Sequence, residues 1–303
     1  DALKLRFSAS TGFRAPSLQQ QYFTSISTVF VDGVPTETGT FSPNSDVAKA
    51  LGSPGLDAEE SVSLGGGFTW TPLSEFSLSI DYYHIEIEDR IVLSNNLSGP
   101  EVEALLADTG ANRGRFFLNA IDSTTKGVDI VATYYLDTSD KGNFLFNAAF
   151  NHNDNEVTDV IEPPAVLQGA GFDQDNLFSG NELRRFEVGS PKTKLNLSAV
   201  WNMNDWNATL RTTRYGETQD PSDNPERNEV LPEKWLTDLD IGYAVTNNIK
   251  VSVGANNIFD VYPDATRELV EDVTTFSRLF SYSGFSPFGF TGRYVYGKIS
   301  VTF

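Results

Sequence analysis

Period-two alternation of apolar and polar residues recurs in about ten separate windows of this chain, and no other feature narrows its possible folds as much. In "FSLSIDYYH", Phe76, Leu78, Ile80 and Tyr82 share one face, and Ser77, Ser79 and Asp81 share the other. "KGVDIVATYYL" sets Val128, Ile130, Ala132, Tyr134 and Leu136 against Asp129, Thr133 and Tyr135. The pattern returns in "FLFNAAF", "KLNLSAVW" and "IKVSVGANNIF". Each window is roughly as long as a tilted strand needs to be to cross a bilayer. Beyond Tyr82 the apolar phase passes to Tyr83, Ile85 and Ile87, which predicts either a bulge or a strand leaving the membrane.

The connections alternate as well. "TPLSE" (71–75), "DTSDKG" (137–142), "MND" (203–205) and "TNN" (246–248) are tight turns, whereas 14–58, 90–123, 157–190, 217–233 and 260–290 are long and rich in Asp, Asn, Pro and Gly. Alternation of side chains alone also fits a soluble β-sandwich whose aromatics fill a core. The strict order of short and long connections decides for an outer-membrane barrel, with short periplasmic turns and long extracellular loops. Trp70, Tyr134, Trp201, Trp206, Trp235 and Tyr243 fall near strand ends, where amphipathic rings settle at a bilayer interface. Lys4, Arg6, Ser8 and Ser10 line a polar inner face, as a wide barrel requires.

Composition closes off other classes. A net charge of −19 over 303 residues argues against nucleic-acid partners, which need clustered Lys and Arg. No run approaches the ~18 apolar residues of a membrane-crossing helix. Without Cys there is no disulfide framework and no thiolate metal site. One short helix is expected, in the extracellular loop "GPEVEALLADTG", with Pro100 at its start, Val102, Leu105 and Leu106 on one face and Gly110 as its stop.

Catalytic signatures are thin, and no enzyme, cofactor or metal centre is expected. "GFSPFG" (284–289) lacks the second glycine that a nucleophile elbow places two residues after the serine, here Ser286. His84 and His152 read as surface or girdle residues. The acidic stretches "FDQDN" and "NHNDNE" lack the spacing of a calcium loop, which leaves room only for a loosely held divalent cation. Tyr22, Phe23, Phe41, Arg113, Arg115, Arg184, Arg185, Tyr215 and Arg278 populate the long loops. Arginines at a mouth can orient an anionic ligand and aromatics can stack on it, although pairing with loop carboxylates is the plainer role.

Five segments in order, "RFSASTGFRAPSLQQQYF" (6–23), "LDAEESVSLGGGFTWTPLSEFSLSIDYYHIEIEDRIV" (56–92), "FFLNAIDSTTKGVDI" (116–130), "WLTDLDIGYAVTNNIKVSVGANNIFDVYPD" (235–264) and "GRYVYGKISVTF", resemble the carboxyl-terminal barrel of TonB-dependent outer-membrane receptors. The resemblance implies an all-β, antiparallel transmembrane β-barrel, with residues 1–303 supplying roughly the last ten strands of about 22. The plug domain and earlier strands would then precede Asp1, where the chain begins as though cut within a strand. It also implies a receptor in the Gram-negative outer membrane that imports a scarce nutrient, such as a ferric siderophore, a cobalamin-like compound or a glycan. Its implied partners are the TonB complex acting through the plug, outer-membrane lipid and lipopolysaccharide, and the barrel assembly machinery. A passive porin, an outer-membrane enzyme barrel and a secreted β-rich binding module are the alternatives.

From the matched motif, Arg14 ends the first strand at the extracellular rim and Tyr22 begins the loop above the lumen; with Arg184, Arg185 and Arg278 these are the expected ligand contacts. The chain ends with Val295, Ile299, Val301 and Phe303 as an outward apolar row and Tyr296, Lys298, Ser300 and Thr302 facing inward. The resemblance makes the terminal Phe303 part of an assembly signal. Gly297 breaks the outward row and is expected to mark close backbone packing.

Overall fold

The computed structural model describes residues 2–31, 34–178, 180–222, 228–266 and 281–302. In chain order these form β1 (Leu3–Arg14), α1 (Leu18–Tyr22), β2 (Ser25–Val31), β3 (Val34–Phe41), α2 (Asp46–Ala50), β4 (Glu59–Leu73), β5 (Phe76–Leu93), α3 (Pro100–Leu106), β6 (Arg113–Asp137) and β7 (Asn143–Val160). There follow α4 (Ala165–Gly169), α5 (Gln174–Leu177), α6 (Gly180–Val188), β8 (Thr193–Met203), β9 (Trp206–Tyr215), β10 (Thr218–Asp220), β11 (Glu229–Leu231), β12 (Lys234–Thr246), β13 (Ile249–Asn256) and β14 (Tyr294–Val301).

Ten strands of a twelve-stranded sheet follow one another in the order β1-β4-β5-β6-β7-β8-β9-β12-β13-β14, which matches the number of alternating windows, and β2 and β3 join the sheet off this path through β6. All neighbours in this path are antiparallel. β1 and β14 end the path without pairing with each other, so the described sheet is an open arc and not a closed barrel.

The alternation resolves into two faces with different chemistry. In register across the sheet, Phe68, Ile80, Ile130, Phe150 and Leu195 occupy one apolar row on β4 to β8. The opposite face is bonded by side chains: Arg6 donates to Thr69 (2.6 Å) and pairs with Asp81, and Asn151 donates to Asp129 at 2.7 Å. Thr133 donates to Asn147 (3.0 Å), Thr213 to Asn196 (2.8 Å) and Tyr296 to Asp240 (2.9 Å). A wall facing water or a polar plug tolerates these groups, whereas hydrocarbon does not.

The tight turns fall where they were expected. Asn204 and Ser139 adopt left-handed backbone in two of them, at φ 52° and 59°. Aromatics gather beside these turns: Trp70 meets Phe76 edge-on at 6.2 Å, and Trp206 meets Tyr243 at 4.7 Å. Trp201 donates its indole N–H to the Lys141 carbonyl at 2.8 Å. Their position at one end of the apolar face is that of an interfacial girdle.

One expectation is narrowed and two need correction. The ladder between β5 and β6 runs unbroken through Tyr82 and Tyr83, so the phase change there is not a bulge. The first register shift lies between Ile87 and Arg90, around Asp89 at φ 55°. Past Tyr82 the outward row becomes His84, Glu86 and Glu88, as in a strand that has left the apolar layer. Next, the loop assigned to 90–123 is partly strand: Ile91 pairs with Asn119 and Leu93 with Phe117. Finally, a Cβ on Gly297 would meet nothing within 4 Å among the described residues, so close packing does not explain that glycine.

The helix expected after Gly99 is present, with Pro100 in its first turn and Val102 and Leu106 fully buried. Leu105, placed on the same face from the sequence, is 38% exposed. Where one helix was expected, the described residues hold five further helices of four to nine residues, all in the long connections at the end of the sheet opposite its tight turns. They are too short to show a helical period. Local caps start three of them: Ser17 and Gln20 form a capping box, Ser45 accepts from the Ala48 N–H, and Asp173 and Asn176 form a second box.

The densest packing lies outside the membrane layer. Phe41, Leu51, Leu97, Val102, Leu106, Phe116, Leu118, Ile121, Leu167, Leu177 and Phe178 form one buried cluster, each no more than 4% exposed. They come from the loops after β1, β5 and β7 and from the upper part of β6. β3 pairs in parallel with the start of β6, Thr38 opposite Arg113 through Phe41 opposite Phe116. The long loops thus fuse into an extracellular cap with its own hydrophobic core.

Candidate functional site

Arg14, the last residue of β1, lies directly opposite Glu59, the first of β4. Its Nε donates to Glu59 Oε2 at 2.7 Å, and a second guanidinium nitrogen reaches the other carboxylate oxygen. Glu59 is 8% exposed and also accepts from the Ile91 N–H at 2.8 Å. Arg90 sits nearby, half-buried, with its guanidinium 5.0 Å from the Phe186 ring and donating to Ser123 at 2.9 Å. Arg14 therefore buttresses the rim where β1, β4 and β5 meet. Tyr22 ends α1 and stands 64% exposed. Among the described residues no hydrogen bond or ring contact joins either of them to Arg184 or Arg185.

Arg184 and Arg185 sit together on α6, between β7 and β8. Arg184 donates to Gln219 of β10 at 3.2 Å. Arg185 pairs with Glu182 one turn earlier and lies over the Phe285 ring at 5.4 Å. Its Nε is buried, with no hydrogen-bond partner among the described residues. Arg278 and Phe303 lie outside the described residues.

Around α6 the fold gathers residues that sequence reading did not assign. Phe285 is anchored from both sides: its N–H donates to Ser283 at 3.1 Å, and its carbonyl accepts from the buried Thr218 at 3.2 Å. Ser283 in turn donates to Asp220 at 2.7 Å. Phe288, three residues on, meets the Tyr215 ring at 5.8 Å, and Lys194 Nζ lies 4.9 Å from that same ring. The segment "GFSPFG", unremarkable as a catalytic motif, delivers two aromatic rings to this cluster. Two phenylalanines held in a loop of Gly, Ser and Pro were the available signal.

A second aromatic stack stands beside β13 and β14. Tyr282 lies 6.1 Å from Tyr262 and 5.8 Å from Phe290. The Asp260 carboxylate beside Tyr262 raises that phenol above the ordinary tyrosine range. Arg184, Arg185 and Lys194 with the rings of Phe285, Tyr215 and Phe288 can hold an anion that carries flat, polarisable groups.

Among the described residues no comparable set is gathered around the two histidines. His84 Nε2 lies 2.9 Å from Glu86 on the same strand, and β6 runs between the strands of His84 and His152. Among the described residues no group of three or more His, Cys, Asp and Glu is placed to hold a metal ion.

Comparison with known proteins places this geometry. Residues 1–258 match the family model described as TonB dependent receptor-like, beta-barrel. No curated protein sequence matches the chain. A variant of the ferric enterobactin receptor PfeA from Pseudomonas aeruginosa superposes with a TM-score of 0.63 at 16% identity, covering 100% of this chain and 38% of its own. The siderophore receptor PirA from Acinetobacter baumannii gives 0.59 at 14% identity, covering 100% and 39%. The copper transporter OprC gives 0.57 at 15%, covering 99% and 37%. The chain thus spans under two fifths of the length of these structures, and the likeness is one of fold. With the family model matched over most of its length, the chain belongs to the TonB-dependent receptor β-barrel family.

Proposed function

We propose that this chain is the carboxyl-terminal barrel portion of a Gram-negative outer-membrane receptor that captures a ferric siderophore and imports it with TonB-coupled energy. The observation that carries the choice of ligand is the cluster of Arg184, Arg185 and Lys194 with Phe285, Tyr215 and Phe288. A ferric catecholate complex is anionic and presents flat aromatic faces, so it satisfies both halves of that cluster. The unpaired, buried Nε of Arg185 adds a donor whose desolvation is offset only when an acceptor arrives. A cobalamin-like compound would make less use of three cations.

Two structural neighbours are named for ferric enterobactin and for siderophores, which agrees with this reading. Import needs a plug that links the lumen to TonB, and the polar inner wall around Arg6, Asp81 and Asp129 suits such a tenant. Barrel assembly machinery and lipopolysaccharide are the remaining partners of this reading.

The test is uptake of radiolabelled iron as a tris-catecholate complex by cells expressing the full receptor. The double variant Arg185→Ala with Lys194→Ala should lower apparent affinity at least tenfold, while the receptor's surface abundance stays at the parent level. Unchanged uptake would remove the ligand assignment.

A further inference from the structure

The outer face of the sheet is not evenly filled. A groove of about 360 Å³ crosses β6, β7, β8 and β9, floored by Ala132, Ala148 and Ala199 and walled by Tyr134, Phe146 and Leu197. Ala132 lies opposite Ala148, and Ala199 lies opposite Phe146, so the groove runs obliquely across the strands. The residues between these, Thr133, Asn147 and Ser198, bond to one another on the inner face, which leaves the groove facing lipid. Its aromatic wall is built by stacking: Tyr134 and Phe144 lie 6.5 and 5.9 Å from the Phe146 ring.

One end of the groove reaches the turn at 137–142. Trp201, two positions from Ala199 on the same face, donates its indole N–H to the Lys141 carbonyl at 2.8 Å and lies opposite Phe144. Asp140 and Lys141 are exposed, and their side chains make no hydrogen bond or ion pair among the described residues. This turn and the neighbouring one at 203–205 together carry three carboxylates, Asp137, Asp140 and Asp205, and one cation, Lys141.

Every apolar surface in a bilayer already meets hydrocarbon, so hydrophobic transfer selects no occupant; close contact and the headgroup do. An acyl chain laid in the groove touches its floor and both walls, contacts that a void would forfeit. At the turn end, Lys141 suits a phosphate, and free carboxylates suit a cation that donates hydrogen bonds. A net negative headgroup is repelled by the three carboxylates, and a quaternary ammonium has no N–H to give. We propose that this groove holds one phospholipid of the periplasmic leaflet, selected for a headgroup that joins a phosphate to a primary ammonium. The site depends on the sheet's orientation in the membrane and shares no residue with the α6 cluster.

The test is native mass spectrometry of the full receptor, delipidated in detergent and titrated with phosphatidylethanolamine, phosphatidylcholine and phosphatidylglycerol of identical chains. One phosphatidylethanolamine should be retained at least tenfold more tightly than either other lipid. Ala148→Phe and Ala199→Leu, each of which fills the groove, should weaken that retention tenfold or more. Asp140→Lys with Asp205→Lys should abolish the preference over phosphatidylglycerol. Heat-modifiable electrophoresis checks that each variant forms its barrel, and ferric catecholate binding should be unchanged in all of them. Equal retention of the three lipids by the parent, retention indifferent to both groove variants, or a preference that survives the double lysine variant overturns the proposal. A receptor dimer that the groove variants dissociate would assign the groove to a second copy and overturn it too. None of these results bears on catecholate uptake.

Discussion

The extracellular cap should unfold without the barrel, and Phe116→Ala tests this. Phe116 is fully buried, pairs with Phe41 across the parallel ladder, and donates its N–H to the Ser94 hydroxyl at 3.2 Å. Truncating a phenylalanine at such a position costs about 3–5 kcal/mol, since the transfer free energy is lost and a cavity remains. With every 1.4 kcal/mol worth about tenfold, the opened population of the cap should rise roughly 10²- to 4 × 10³-fold. Hydrogen exchange measured on the full receptor reads this directly. Peptides spanning 94–121 and 160–178 should exchange faster, whereas those within β8, β9 and β12, which hold none of the cluster, should keep parent rates. Equal acceleration across the barrel would show one cooperative unit, and unchanged exchange in the cap would show that the cluster does not hold it together.

Further outcomes follow from local geometry. Glu59→Ala strips Arg14 of its partner and the buried Ile91 N–H of its acceptor, and should cost about 1–3 kcal/mol, seen as earlier thermal loss of the rim. Gly67→Val should impair barrel formation, measured by heat-modifiable electrophoresis, because a Cβ there collides with the Asp81 carboxylate and the Ile80 carbonyl. Trp206→Ala removes the ring packed on Tyr243 and should lower barrel stability by about 0.5–1.5 kcal/mol beyond the area lost. Asp260→Asn takes away the charge that raises the Tyr262 phenol, so that phenol should titrate at lower pH, followed by NMR of ring-labelled tyrosine.

What the sequence showed and what it hid divide along physical lines. Alternation is legible wherever one face meets lipid and the other water, and the windows around Ile80, Ile130 and Leu197 became strands for that reason. Above the bilayer this contrast ends. The upper parts of β5 and β6 pair around a bulge at Asp89 and pack against loops, so "RGRFFLNAID" (113–122) carried no strand signal. The cap core was illegible because its members are spread from Phe41 to Phe178 and meet only through tertiary contact. The same holds for the candidate site: Arg185 and Phe285 are a hundred positions apart in the chain, and only the fold brings guanidinium to ring. Arg14 was placed correctly at the end of its strand, but the register that sets Glu59 opposite it, and so gives it a bracing role, depends on the pairing of β1 with β4.

The fused cap also bears on how antibodies would recognise the folded protein. Its outermost surface is assembled from three loops, around 38–51, 94–121 and 160–178, so the epitopes it presents are discontinuous. Antibodies raised against any one of those loops as a synthetic peptide should bind the folded protein poorly, whereas antibodies raised against the folded protein should bind it well.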